Sequence, residues 1–267
     1  MIKKEVLDQV FNEITDDGDK CKIVTGFDGL DSMLESNYKP HFITIGARPS
    51  MGKTSFAVSV LLNSLKDGKN CLVFSNNISE TVYLRKLVAQ IEGLSLFTLK
   101  KPQNKNDISK LKIRKALDKI SKYKLTIDDN YVDISDIKDQ IESIKPDYVF
   151  IDDINALADK MTSANLKKLK QIALDNDCTI FALSGLSRAP ENRKDKRPIL
   201  SDLKNSKDMV NISDVIIFLY RNSYYYGPDP YNKDENTEDA EIILAKNKHG
   251  AVGVTVTKFN RATTKFY

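Results

Sequence analysis

The hydrophobic positions along the chain follow two spacings. Short apolar runs, typical of buried strands, are separated by segments in which apolar residues recur every three or four positions, as on one helix face. The predicted strands are "HFITIG", "CLVF", "KLTI", "DYVFID", "CTIFAL", "DVIIFL", "AEIILA" and "VGVTVTKF". Helices are predicted from about Gly52, from about Ser79 and over "DISDIKDQI". Alternating strands and helices, followed by consecutive strands, predict an α/β fold with a mainly parallel, helix-flanked sheet and an antiparallel extension.

The N-terminal segment has a different pattern from the rest of the chain. Its apolar residues are spaced by three to four positions, which predicts an amphipathic helix; they are Ile2, Val6, Leu7, Val10, Phe11 and Ile14. The polar run "DDGDK" then ends this pattern. The chain is therefore divided into a helix and loop over residues 1–20 and one domain over residues 21–267. The simplest interpretation of this pattern is a helix that packs on its own domain.

Two further segments have unusual composition. "YYYGPDPYNKDENTEDAE" is rich in Gly, Pro, Asn and acidic residues, and it predicts an exposed loop whose aromatic residues pack locally or at an interface. Residues 100–124 contain ten lysines and arginines against two aspartates. The apolar residues of this basic segment predict a helix packed on the core with a basic outer face; they are Ile108, Leu111, Ile113, Leu117 and Ile120.

Composition and charge exclude several functional classes. A chain of 267 residues suits one large domain, and a net charge of +4 identifies no partner by itself. No apolar run is long enough to span a bilayer, and the first residues lack a signal-peptide core, so no membrane association is expected. With only two histidines, a histidine-based metal site or catalytic triad is not expected. Cys21, Cys71 and Cys178 form no CxxC pair; Cys71 and Cys178 are predicted core residues, and a reducing, cytoplasmic location fits.

The strongest chemical signal is "ARPSMGKT" at residues 47–54, which fits the P-loop pattern with alanine in the first glycine position. In such a loop the glycine lets the backbone approach the phosphates, Lys53 reaches the outer phosphates, and the Thr54 hydroxyl binds Mg²⁺. The dipole of the following helix adds positive potential. The pattern therefore predicts ATP and Mg²⁺ as ligands. The predicted nucleotide-binding residues are Ala47, Arg48, Pro49, Ser50, Met51, Gly52, Lys53, Thr54 and Ser55.

A P-loop also requires an acidic residue at the end of a neighbouring strand to hold Mg²⁺. The stretch "DYVFIDD" at residues 147–153 supplies it. Asp152, together with Thr54, is the predicted metal-binding pair. Asp153 is the alternative to Asp152.

Several motifs occur in the order in which a known family has them: "TGFDGLD", "GARPSMGKTSFA", "ALSGLSR", "DKRPILSDLK", "DVIIFLYR" and "AKNKHG". Over about residues 22 to 267 the chain resembles the C-terminal, RecA-like motor domain of DnaB-type replicative helicases. The resemblance implies a RecA-like fold, a hexameric ring of identical subunits, and ATP-driven 5′ to 3′ translocation on single-stranded DNA. It also implies a helicase loader as a partner and a linker helix at residues 2–14. The family's N-terminal, primase-engaging domain has no counterpart in these residues.

Three positions depart from the family pattern at catalytic sites. The family glutamate that activates water is replaced by Asn77, whose amide is not a base; Glu80 is the alternative if the turn is rearranged. The family has a glutamine on the strand that leads to its Ser-Gln-Leu sequence, and this glutamine is replaced by Gly185. The family's Lys-x-Arg pair, which acts across the subunit interface, corresponds to Lys246 and Lys248, so the planar arginine fork is lost.

The same resemblance implies the DNA-binding residues. The loop "SDLKNSKD" matches the family loop that lines the central channel, so Lys204, Asn205 and Lys207 are the predicted DNA contacts. A solvated loop is the alternative, in which case the basic segment 100–124 is the next candidate. Two functions are expected. The first is a DnaB-type ATP-dependent helicase motor, an ATP hydrolase; the second is a nucleotide-binding, DNA- or helicase-interacting protein without efficient hydrolysis.

Overall fold

The structure is a computed structural model that describes residues 4, 7, 11, 23–35, 39–100, 107–131, 133–156, 162–227 and 234–267. The strands are β1 Phe42–Ala47, β2 Cys71–Ser75, β3 Leu125–Asp128, β4 Tyr148–Asp152, β5 Thr179–Gly185, β6 Val215–Tyr220, β7 Thr237–Asn247, β8 Gly253–Asn260 and β9 Lys265–Phe266. The α-helices within the described residues are α1 Asp28–Leu34, α2 Lys53–Lys66, α3 Glu80–Glu92, α4 Leu96–Lys100, α5 Asp107–Ile120, α6 Ile134–Ile144, α7 Ser163–Asp175, α8 Ser206–Ile212 and α9 Asn222–Tyr226.

Within the described residues, the strands form one sheet in the order β3-β2-β4-β5-β1-β6-β7-β8-β9. In this order, neighbouring strands from β3 across to β6 (β3, β2, β4, β5, β1 and β6) are parallel. The neighbours from β6 to β9 are antiparallel. Thus the prediction of a mainly parallel sheet with an antiparallel extension is confirmed. β1 lies between β5 and β6, so the carboxyl end of β1 opens near the centre of the sheet. Ligands of parallel α/β sheets bind at this edge.

The sheet is covered by helices on both faces, with a hydrophobic core on each side. β1, β2, β4 and β6 are buried at every position, as the continuous apolar runs predict for strands covered on both sides. α2 is buried on most of its circumference, and its packing against the sheet fixes the helix that follows the P-loop. Cys71 and Cys178 are fully buried, as predicted, whereas Cys21 lies outside the described residues.

Two predictions for the surface segments were partly wrong. Residues 222–226 form the short helix α9 rather than loop, and β7 already begins at Thr237; residues 228–233 lie outside the described part. In α5 only Ala116 and Ile120 are buried and Ile113 is half-buried, whereas Ile108, Leu111 and Leu117 are exposed. The spacing of apolar residues predicted the helix, but the neighbouring elements reach only one part of its apolar face.

The predicted helix at residues 2–14 lies largely outside the described residues. Lys4, Leu7 and Phe11 are described as helical and exposed, with Leu7 53% and Phe11 66% accessible. Leu7 and Phe11 are four residues apart and therefore lie on the same helix face. Among the helices that the structure describes, none is both long and apolar enough to cross a membrane.

Candidate functional site

The predicted phosphate loop connects β1 to α2, with Gly52 at the N-cap of the helix. Gly52 has a φ of +104°, a left-handed conformation that disfavours side chains. A Cβ atom at this position would also lie 3.0 Å from the Phe266 ring. Backbone conformation and packing therefore both require glycine here, as the sequence motif predicts.

A buried arginine fixes the carbonyl groups of this loop. Arg221, at the end of β6, donates from Nε to the Met51 carbonyl (3.0 Å) and from Nη2 to the Ser50 carbonyl (2.6 Å). Its third nitrogen, Nη1, donates to Glu238 on β7. Burial lowers the pKa of Arg221, and the charge of Glu238 opposes this shift. The loop is thus tied to the antiparallel half of the sheet by one side chain that is 7% exposed.

The loop forms one wall of a cavity of about 860 Å³. Its basic lining residues are Arg48, Lys53, Lys86, Arg188, Lys204, Arg221 and Arg261, whereas Asp153 is its one acidic lining residue among the described residues. Such an excess of positive charge in a concave site concentrates polyanions. The cavity therefore has the size and charge to hold the phosphates of a nucleotide.

The two adjacent aspartates at the end of β4 have different environments. Lys53 forms an ion pair with Asp153 and not with Asp152. Asp152 is 2% exposed, and its pKa is raised chiefly by burial, although a hydrogen bond from the Thr54 hydroxyl and the charge of Lys53 oppose the shift. Its Oδ2 atom is buried and has no hydrogen-bond partner among the described residues.

This arrangement fits Mg²⁺, because a buried carboxylate oxygen without a partner lies next to the threonine hydroxyl that P-loops use for the same ion. Within the described ranges, no group of three or more His, Cys, Asp or Glu side chains is placed to hold a metal by itself. This agrees with a Mg²⁺ site in which the protein supplies few ligands and the nucleotide phosphates and waters supply the others.

Asn77 and Glu80 lie in the turn from β2 to α3, and neither lines the cavity. Ser75, the last residue of β2, pairs with Asp152 in the sheet, and the Asn76 amide donates to the Asp152 carbonyl (3.2 Å). Asn77 thus follows Ser75, the partner of Asp152 in the sheet, by two residues along the chain, and its side chain is exposed. Glu80 is exposed at the first turn of α3, where its backbone amide donates to Asp129 Oδ2 (2.9 Å).

Gly185 is the last residue of β5 and pairs with Ala47 at the start of the phosphate loop. A Cβ atom built on Gly185 would lie 3.7 Å from Lys204 Cε and 3.9 Å from Asn155 Nδ2. Asn155 in turn donates to Asp153 Oδ1 from its amide nitrogen (2.9 Å) and its side chain (2.8 Å). A side chain at position 185, where the family has glutamine, would therefore lie next to the side chains of Asn155 and Lys204.

The three predicted DNA contacts occupy different surroundings. All three are exposed, but only Lys204 lines the cavity at the phosphate loop, whereas Asn205 and Lys207 lie outside it. Asn205 has a φ of +52° at the N-cap of α8. The loop is anchored at the buried Asp202, which accepts two hydrogen bonds from Arg193 (2.8 and 2.6 Å).

The two lysines of the predicted trans-acting pair also differ. Lys246 donates to the carbonyls of Val210 (2.7 Å) and Ser213 (2.6 Å) near the end of α8, and burial lowers its pKa. Lys246 is thus occupied within its own subunit. Lys248 is exposed in the turn after β7, and only its backbone amide is held, by the Asp214 carbonyl (2.8 Å).

Several cavity residues were missed by the sequence reasoning. They are Lys86 on α3, Arg188 after β5, Arg221 after β6, and Phe259, Arg261 and Thr264 from the C-terminal strands. Burial lowers the pKa of Lys86, and the nearby Asp152 charge opposes this. Arg221 lies in the quoted motif "DVIIFLYR", which marked it without giving its role. Arg188 likewise ends the quoted motif "ALSGLSR". The other residues carry no local signal, because only the chain fold brings them to the phosphate loop.

Comparison with known proteins finds similar sequences over most of the chain. A model of the DnaB-like helicase C-terminal domain family matches residues 22–267. The replicative DNA helicase DnaB of Geobacillus stearothermophilus is 32% identical over 98% of this chain and 61% of its own length. The corresponding Helicobacter pylori protein is 30% identical over 98% of this chain and 64% of its own length. A probable plasmid replicative DNA helicase of Chlamydia psittaci is 31% identical over 91% of this chain and 54% of its own length.

Solved structures share the fold. A structure described as an ATPase domain superposes with a TM-score of 0.83 at 29% identity, covering 98% of this chain and 96% of its own. A DnaB-like replicative helicase, described with its interactions with primase, gives a TM-score of 0.83 at 29% identity, covering 100% of this chain and 66% of its own. The chain spans less than two thirds of the length of the curated relatives that it matches.

Proposed function

The chain belongs to the DnaB-like helicase C-terminal domain family, and from this premise we propose that it is an ATP-dependent motor domain that moves along single-stranded DNA. The observation that carries the proposal is the cavity of about 860 Å³ on the phosphate loop, with basic side chains converging on it. A triphosphate with its metal needs such a surplus of positive charge. The relatives are named as replicative DNA helicases, which supports a role in DNA replication for the proposed motor.

In the proposed reaction the chain mainly positions groups and stabilises charge. Lys53 would leave Asp153 and bind the outer phosphates, while Thr54 and Asp152 would hold Mg²⁺. When bound, the ion would supply positive charge beside the phosphates. Arg221 holds the loop carbonyls, so the geometry of the loop is set before the nucleotide arrives.

We further propose that the working form is a ring, hexameric as the family resemblance implies. Lys248 is the better candidate to reach a neighbouring nucleotide, because it is exposed and its ammonium is not bound within the described part of its subunit. Lys246 instead holds α8 in place. Exposed Leu7 and Phe11 fit a linker helix that docks on the next subunit. The same proposal includes a helicase loader as a partner. It also includes a cytoplasmic location, where the DNA is replicated.

A second function is favoured by one specific observation: among the described residues that line the cavity, the one carboxylate is Asp153, which is paired with Lys53. Asn77 and Glu80 do not line it, and Gly185 provides no side chain. The alternative is a DnaB-like protein that binds nucleotide, and DNA or a helicase partner, without efficient hydrolysis. The two functions differ in DNA-stimulated turnover and share nucleotide binding.

Substitution of the P-loop lysine tests the shared part. Lys53→Ala should weaken Mg²⁺-ATP binding by about tenfold or more, because it removes a charge aimed at the outer phosphates. Titration with a fluorescent ATP analogue measures the affinity, and circular dichroism checks the fold. Lys167→Ala, which removes an exposed lysine of α7 outside the cavity, is the matched control. Equal affinities of a folded Lys53→Ala protein and the parent would refute the phosphate-site assignment.

A further inference from the structure

Lys204 lies in the nucleotide cavity although its loop resembles a DNA-binding loop. Its Cε and Cδ atoms are 3.7 and 3.9 Å from the position of a Cβ atom on Gly185, and Gly185 pairs with Ala47 of the phosphate loop. Lys204 and Lys53 therefore line the same cavity. Within the described residues, the Lys204 ammonium forms no hydrogen bond or ion pair.

The absence of a side chain at Gly185 makes room for this lysine. The φ of Gly185 is not in the left-handed range, so the backbone does not require glycine there. A methyl group would only touch Lys204 at an ordinary contact distance. The lysine side chain therefore lies beside the glycine, and a longer side chain at position 185 would share the cavity with it.

The backbone of Lys204 and its neighbours is bound to the end of β5 and the residue after it. The Lys204 amide donates to the Gly185 carbonyl (3.4 Å), and Leu203 forms an isolated bridge with Leu186. Asp202, one residue further back, is buried and bound by Arg193. A lysine on an anchored backbone loses less freedom when it binds a ligand than one on a free loop.

We propose that Lys204 contacts the terminal phosphate of the bound nucleoside triphosphate and occupies the place that Gly185 leaves open. This inference rests on the proposed function, because it requires a nucleotide on the phosphate loop. Lys53 already neutralises part of the charge, and a second ammonium from the β5 side adds a charge-assisted contact to the outermost phosphate. Lys204 thereby becomes a group that distinguishes triphosphate from diphosphate, rather than a contact to DNA alone.

Nucleotide binding without DNA tests the proposal. Lys204→Ala should weaken binding of the non-hydrolysable analogue AMP-PNP by about tenfold while changing ADP affinity by less than about twofold, since ADP lacks the terminal phosphate. Lys204→Arg should retain most of the AMP-PNP affinity because it keeps the positive charge. Equal losses for both nucleotides, or no loss for either, would overturn the assignment.

A double-mutant cycle tests the steric part. Gly185→Gln fills the space with an amide side chain and should displace Lys204, so Lys204→Ala should cost much less AMP-PNP affinity in this background. The same cost in both backgrounds would show that the lysine does not use this space. Lys167→Ala, as before, is the control for loss of charge alone.

The Lys53→Ala protein separates the two possible failures. If Lys53→Ala loses nucleotide and Lys204→Ala does not, the inference fails and the proposed function stands. If neither substitution matters in a folded protein, the phosphate site itself is wrong.

Discussion

Arg221 is the residue that most directly couples the fold to the phosphate site. It joins the carbonyls of Ser50 and Met51 to Glu238, and its guanidinium lies 4.4 Å from the Phe259 ring centroid. A lysine at this position could still pair with Glu238, but it has no planar fork for two carbonyls. Replacing Arg221 with lysine therefore removes hydrogen bonds to the loop while keeping a positive charge beside Glu238.

We expect Arg221→Lys to weaken Mg²⁺-ATP binding about three- to tenfold, since each lost hydrogen bond contributes roughly 0.5–1.5 kcal/mol. Affinity is measured by titration and stability by thermal melting. Arg221→Ala is a poor test, because it also removes the buried ion pair with Glu238, which keeps only Ser223 and the more distant Arg261 (3.9 Å) as partners, and so lowers folding stability. Unchanged affinity in the lysine variant would mean that the loop holds its shape without the fork.

The water-activating group can be tested at the positions that depart from the family. Asn77→Glu together with Lys248→Arg should raise DNA-stimulated ATP turnover well above that of the parent. A general base typically contributes a factor of about 10² to 10⁴, and an arginine finger roughly 10³ to 10⁵. Phosphate release in the presence of single-stranded DNA measures the gain.

Glu80→Gln is the partner experiment for this prediction. If the parent already turns over rapidly and Glu80→Gln abolishes turnover, Glu80 is the base and the degeneracy hypothesis is wrong. If the paired substitutions and Glu80→Gln all leave turnover unchanged, none of these side chains activates the water.

At the scale of elements, two basic surfaces are candidates for the proposed DNA contact. The loop before α8 exposes Lys207, and α5 carries a row of lysines with exposed Ile108 and Leu111 among them. Because Lys204 lines the cavity at the phosphate loop, Lys207 is the more specific probe of DNA contact in this loop. The basic charge of α5 and its exposed apolar residues make it the alternative surface.

Lys207→Glu should weaken binding of single-stranded DNA equally for all sequences and lower the salt dependence of the affinity by about one ion. Fluorescence anisotropy with labelled oligonucleotides at several salt concentrations measures both effects. Charge reversal at Lys112 and Lys115 on α5 is the comparison, since both are exposed. A loss with the α5 variant and none with Lys207→Glu would move the DNA site to α5.

At the scale of the whole molecule, the proposal that the N-terminal segment joins neighbouring subunits can be tested directly. Leu7 and Phe11 are exposed on one helix face, which is unfavourable for an isolated domain but useful for docking on a second copy. We expect deletion of residues 2–14 to shift the nucleotide-loaded oligomer toward monomer while the melting temperature of the domain changes little. Light scattering with AMP-PNP and thermal melting measure the two effects.

Leu7→Ser with Phe11→Ser is the milder version of the same experiment. These substitutions remove two apolar contacts and leave the chain length unchanged. If the oligomer persists in both variants, or if the domain melts at a much lower temperature, the segment packs on its own domain instead.

The sequence by itself determined the elements with continuous apolar runs and the phosphate loop. Buried parallel strands must be apolar on both faces, and a P-loop needs Gly52, Lys53 and Thr54 at fixed spacing, so both leave local patterns. The sequence was less informative for α5, whose apolar residues are periodic without being buried. It was wrong for residues 224–226, where Gly and Pro just beyond them suggested a loop but the chain is helical.

Only the tertiary structure decided which distant residues meet at the phosphate loop. Arg221, Lys86 and Lys204 come from three different elements, and strand order rather than any local motif brings them to one cavity. The structure also distinguished Asp152, which is buried beside Thr54, from Asp153, which pairs with Lys53. These distinctions depend on burial and on contacts between residues far apart in the chain, and neither leaves a periodic signal in the sequence.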